Sequence, residues 1–135
     1  MDDGNDTLRE GVGADASLAL LDGEAIRSLN DLVGDDPELL TELVDAFLDE
    51  APLRLDELRA GVENDDPVLA GRAAHALKSN GLTFGALALG GLCQELESQA
   101  RNGQLDAAAP VVARIDAEWS RVRPAIDALR AGTSP

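Results

Sequence analysis

Residues 72–97 read RAAHALKSNGLTFGALALGGLCQELE and contain the only histidine of the chain, His75, and its only lysine, Lys78. The spacing predicts two helices with Thr83-Phe84-Gly85 as a tight connection. In the first, Leu69, Ala73, Ala74 and Leu77 form an apolar stripe; in the second, Leu89, Leu92, Cys93 and Leu96 do the same. If Ala70 to Gly81 is helical, His75 projects about 170° from the centre of its stripe at about 100° per residue. The imidazole then faces solvent, and Lys78, three residues on, shares its face. A lone histidine in a small helical protein most often fills a place in the fold, but a core histidine would lie on the stripe rather than opposite it.

The neighbours on that outward face are Gly71 one turn before, Ser79 one turn after and Leu82 two turns after. A glycine inside a helix costs about 1 kcal/mol relative to alanine, and no turn near position 71 accounts for it. Small residues beside an exposed histidine leave clearance for something that docks there.

Working outward, Asp66-Pro67 opens the histidine helix, which continues to about Leu82. Asp36-Pro37-Glu38 gives the same start signal for an earlier helix. Its stripe is Leu40, Val44, Phe47, Ala51, Leu55 and Leu58, it reaches Gly61, and Pro52 is expected to bend it. A short helix is predicted from Gly23 to Val33, with Asp22 as N-cap, Ile26, Leu29 and Val33 on one side, and Gly34 ending it. The helix after the connection is expected from about Ala86 to Arg101, closed by Asn102-Gly103. The last one carries Leu105, Ala108, Val112, Ile115, Trp119, Val122, Ile126 and Leu129, tolerates Pro110 near its start and kinks at Pro124. Four amphipathic helices with short connections imply an all-α fold, an antiparallel up-down-up-down four-helix bundle, with the short additional N-terminal helix across one end. Residues 1–17, acidic and aperiodic, read as a flexible tail, residues 18–131 as the bundle domain and residues 132–135 as a C-terminal tail.

Composition narrows the function. The chain has 135 residues, enough for one core, and 2% aromatics, so that core is built mainly from aliphatic side chains. A formal net charge of −15 argues against nucleic acid or an anionic membrane as partner. One cysteine excludes an internal disulfide and, with one histidine, a zinc site; Cys93 on its stripe reads as buried filler. The N-terminus does not read as a signal peptide, and no stretch has the roughly 18 apolar residues of a membrane span, so a cytoplasmic protein is expected.

The run His75-Ala-Leu-Lys78-Ser79-Asn80, followed by Phe84-Gly85-Ala86 and by Leu92-Cys93-Gln94-Glu95-Leu96-Glu97, resembles the histidine-containing phosphotransfer (HPt) domain of multistep two-component signalling. The resemblance runs over roughly residues 21 to 130, from Leu21-Asp22 through the DPELLTELVDAFLDEAP segment to the final helix. The position after the lysine, often glycine in that family, is Ser79 here and still small.

The resemblance implies that His75 accepts a phosphoryl group from a receiver-domain aspartyl phosphate and passes it to another receiver aspartate, with Lys78 neutralising charge on the oxygens. It places Gly71, Ser79, Leu82, Glu97 and Arg101 at the docking face, Glu97 and Arg101 being an i, i+4 pair. Receiver domains of response regulators and hybrid histidine kinases are the implied partners. No cofactor of its own is implied, because magnesium comes with the receiver, and no kinase activity, because no glycine-rich nucleotide loop is present. The expected state is a monomer. Two other readings stay open on the residues alone: a phosphoacceptor domain excised from a hybrid or chemotaxis-type kinase, which Met1 and the loose tails disfavour, and a non-catalytic helical adaptor. The acidic, lysine-poor composition also fits salt adaptation.

Overall fold

The computed structural model describes residues 20–132, so the expected N-terminal tail lies outside the described residues. Five α-helices follow in order: α1 (Gly23–Leu32), α2 (Pro37–Glu63), α3 (Pro67–Thr83), α4 (Leu87–Arg101) and α5 (Ala109–Gly132), with a 3-10 turn at Leu105–Ala107 before the last. α5 reaches Gly132, one residue into the expected C-terminal tail; the rest of that tail lies outside the described residues.

Local chemistry sets these boundaries. The Asp36 carboxylate accepts from the backbone N–H groups of Glu38 and Leu39, that of Asp66 from Leu69, and that of Asp22 from Ala25, so all three start signals are true N-caps. Pro37 and Pro67 occupy the first helical position, where a missing N–H costs nothing. α2 runs on through Pro52 and α5 through Pro124, and neither proline breaks its helix. Removing the cap of the histidine helix with Asp66→Ala is expected to cost about 1 kcal/mol in urea unfolding.

From α2 onward each helix packs on the next, α2 on α3, α3 on α4 and α4 on α5, and α5 returns to α2 to close an antiparallel bundle. Leu40, Val44, Phe47, Ala51, Leu55 and Leu58 are all buried, as the spacing predicts. The three aromatic side chains meet in the interior: Phe47 stacks on Phe84 at 5.0 Å between ring centroids and meets Trp119 edge-on at 5.3 Å. Among the described residues no polar or charged residue is buried.

Two stripes differ from the spacing-based reading. On α3 the buried set is Ala70, Ala73, Ala74, Leu77 and Gly81, and Leu69 is only half-buried. The reason is the close approach of α2: an ideal Cβ on Gly61 would lie 2.6 Å from the backbone nitrogen of Ala70. Only small side chains fit where two helix backbones come so near. On the last segment, Val111 rather than Val112 is fully buried, and Leu105 sits in the 3-10 turn, which breaks the phase of the expected continuous stripe.

α1 packs against α3 at the end of the bundle that carries the α3–α4 connection. Gly85 makes this possible. Its φ of +80° suits glycine, and a Cβ there would lie 2.8 Å from the nitrogen of Asp22. Without one, Asp22 N–H donates to the Gly85 carbonyl at 2.8 Å and pins the start of α1 to the turn.

Candidate functional site

His75 sits on α3 with Ala73, Ala74 and Leu77 buried behind it, and its side chain is 60% exposed. The outward orientation predicted from helical spacing is therefore the observed one. Facing it across the α3–α4 groove is Glu97, only 17% exposed. His75 Nδ1 lies 3.0 Å from Glu97 Oε2, and Lys78 Nζ donates to Glu97 Oε1 at 2.8 Å. Arg101, one turn along α4, reaches the same carboxylate at 3.6 Å. One acidic group thus holds three basic ones.

This geometry fixes the protonation pattern of the ring. An ionised carboxylate only accepts hydrogen bonds, so Nδ1 carries the proton and donates it to Glu97, and the lone pair of the neutral ring sits on Nε2. Glu97 stays ionised through the neutral range: the hydrogen bond from Lys78 holds its carboxyl below the ordinary 4.5, partial burial opposes this, and the bond from His75 adds to it.

Lys78 differs from a simple surface lysine. It is half-buried at 19% exposure and donates a second hydrogen bond to Gln94 Oε1 at 2.8 Å. Gln94 itself leans on Ser98, its Nε2 lying 3.3 Å from the serine hydroxyl. Gln94 is the site residue that sequence reading missed; its place one turn before Glu97 on α4 was the available signal. The Cys93 thiol lies buried beneath this layer. Burial pushes it up to about 12, with Lys78 opposing and Glu97 reinforcing that shift.

Beside the histidine, on the side toward Pro67, lies an open hollow of about 580 Å³. Val68, Gly71, Ala76 and Ala100 give it an apolar lining, and Arg72 and Arg101 add positive charge in a chain that is otherwise strongly acidic. Gly71 lines this hollow together with His75. Ser79 and Leu82 are exposed further along α3, where Leu82 also covers Gly90 of α4. Among the described residues no group of three or more His, Cys, Asp or Glu side chains is arranged to hold a metal ion, and no helix is long and apolar enough to cross a membrane.

A family model described as the Hpt domain matches residues 42–131, which include α3, α4 and the whole His75 cluster. The chain belongs to the Hpt domain family. It is 35% identical over 100 residues to the phosphorelay protein LuxU of Vibrio vulnificus, strains YJ016 and CMCP6, a match covering 73% of this chain and 85% of that protein. Among solved structures it is similar to histidine-containing phosphotransfer protein B (HptB) of Pseudomonas aeruginosa PAO1, with a TM-score of 0.74, 30% identity, and coverage of 84% of this chain and 96% of that one. The HPT domain of a sensor hybrid histidine kinase from Shewanella shares the fold at a TM-score of 0.65 and 18% identity, covering 81% and 94% of the two chains. As an Hpt domain protein the chain is a histidine phosphotransfer intermediate of a phosphorelay, and its partners are receiver domains.

Proposed function

We propose that His75 is the phosphoacceptor and that Nε2 is the attacking atom. The observation that carries this reading is the Nδ1–Glu97 contact at 3.0 Å on a ring that is 60% exposed: it leaves the Nε2 lone pair as the nucleophile. Nε2 attacks phosphorus of the receiver's aspartyl phosphate, the P–O bond breaks, and the carboxylate leaves. The reverse steps deliver the group to a second receiver. The transfer needs in-line positioning and charge neutralisation, and the receiver brings the magnesium.

Lys78 supplies the charge on this side. A unit charge about 5 Å from the phosphoryl oxygens is worth on the order of 3 kcal/mol at an effective dielectric near 20, an upper figure because Glu97 already engages the ammonium. Glu97 and Arg101 order the groove, and Gly71, Ser79 and Leu82 form the face over which a receiver approaches. The reading also takes the protein to be a cytoplasmic monomer without kinase activity of its own, in keeping with its acidic composition.

Three assays test this. Incubated with ATP alone, the protein should stay unlabelled, and appreciable autophosphorylation would contradict the carrier role. Screened against phosphorylated receivers of its own organism, it should take up label that is lost in acid and kept in base, the behaviour of a phosphoramidate; acid-stable label would point to a phosphoester instead. Lys78→Ala should lower the transfer rate about tenfold with little change in receiver affinity, whereas Ser79→Trp should weaken binding and transfer together. Calorimetry and rapid-quench transfer separate the two, and a Ser79→Trp protein that binds and transfers normally would remove this face from the docking surface.

A further inference from the structure

We propose that Glu97 acts as a positioning residue for the loaded state: by holding the proton on Nδ1 of phospho-His75 it keeps the departing ring a neutral imidazole, and so extends phosphoryl release to higher pH. This rests on the reading of His75 as the acceptor, and it follows from how the transfer balances. On attack, the Nε2 lone pair becomes the P–N bond and the P–O electron pair leaves with the receiver's carboxylate. No proton moves. The ring keeps its Nδ1 proton and now carries a positive charge beside the phosphoryl group. On release, the P–N pair returns to Nε2 and the ring departs neutral. Had Nδ1 lost its proton in the interval, the leaving group would be an imidazolate, a far poorer one.

The structure puts a carboxylate where it opposes that loss. Glu97 Oε2 is 3.0 Å from Nδ1, and the residue is 17% exposed, so solvent screens the contact only in part. The other charged groups around the ring are Arg72 and Lys78 on its own helix and Arg101 on α4, all positive. They pull in the opposite direction, favouring the deprotonated ring, which makes Glu97 the one side chain among them that adds to the phosphoryl group's own negative charge in favouring the protonated form. An opposite charge at such range favours the protonated ring, and the three cations offset part of that effect.

The test uses the full chain loaded on His75 with potassium phosphoramidate as sole phosphodonor, with ammonia leaving as the P–N bond to His75 forms. Nitrogen-15 NMR follows deprotonation of the phosphorylated ring as pH rises, and loss of label is timed over the same range. Glu97→Gln keeps the size of the side chain and a carbonyl that accepts from Nδ1–H, so mainly the charge is removed. Its ring midpoint should fall below that of wild type, and loss of label should slow at correspondingly lower pH. Glu97→Asp, which keeps the charge, should titrate above Glu97→Gln. Equal midpoints for wild type and Glu97→Gln, or the reverse order of the two variants, would overturn the proposal. Label that persists in His75→Gln overturns the acceptor assignment itself and with it this inference, an outcome distinct from unchanged midpoints on a correctly labelled His75.

Discussion

His75→Gln is expected to abolish phosphoryl uptake from a receiver, a loss of at least about a thousandfold, while the melting temperature stays within about 3 °C of wild type. The two halves rest on different observations. Uptake fails because glutamine offers no nucleophilic nitrogen, and no second histidine exists to replace it. Stability survives because the side chain is 60% exposed and its contact is with a groove that Lys78 and Arg101 also hold. Exposed substitutions of this sort usually stay within about 0.5 kcal/mol, a few degrees for a domain of this size. Label remaining in the variant would show that another residue accepts the group. A fall of 10 °C would show that the imidazole serves the fold instead.

The largest stability effect is expected at Gly61→Ala, and its sign opposes the usual rule. Alanine in place of a glycine within a helix, as Gly61 is in the last turn of α2, normally adds up to about 1 kcal/mol through helix propensity. At Gly61 the new methyl would lie 2.6 Å from the nitrogen of Ala70 and 2.9 Å from its Cα and Cβ, and backbone cannot rotate aside. α2 and α3 would have to separate along the seam that positions His75. We expect a loss of about 2–3 kcal/mol, or roughly 10–20 °C in melting temperature. Gly71→Ala is the internal control: there the methyl meets only the Ala100 methyl at 3.6 Å, an ordinary contact, so this variant should be as stable as wild type or more so. Thermal and urea melts of the pair decide it, and equal stabilisation by both would mean that the α2–α3 seam is looser than these distances say.

The same seam explains what could and could not be read from the residues. Caps and the α2 stripe were legible because they depend on neighbours within one helix: Asp36, Asp66 and the positions from Leu40 to Leu58 all serve as their spacing predicts. Helical spacing puts Leu69 on the apolar stripe of α3, yet the contact with Gly61 selects Ala70 for being small. Size complementarity between two helices is invisible in the pattern of either one. The site divides in the same manner. The exposure of His75 and the proximity of Lys78 follow from periodicity along α3. That Glu97 holds His75 and Lys78, and that Gln94 holds Lys78 as well, depends on the register of α4 against α3, which single-helix spacing does not contain. Arg101, expected as a partner of Glu97, makes the longest of its three contacts.

Cys93 gives the molecule a clock. Its thiol is the only one in the chain, it is buried in the core on the helix that carries Glu97, and burial leaves it almost wholly protonated at neutral pH. An alkylating reagent can reach it only while the core opens around it, so the speed of alkylation counts how often the bundle breathes at that spot. Comparing that speed with and without a phosphoryl group on the surface above would show whether loading the carrier tightens or loosens the scaffold beneath it.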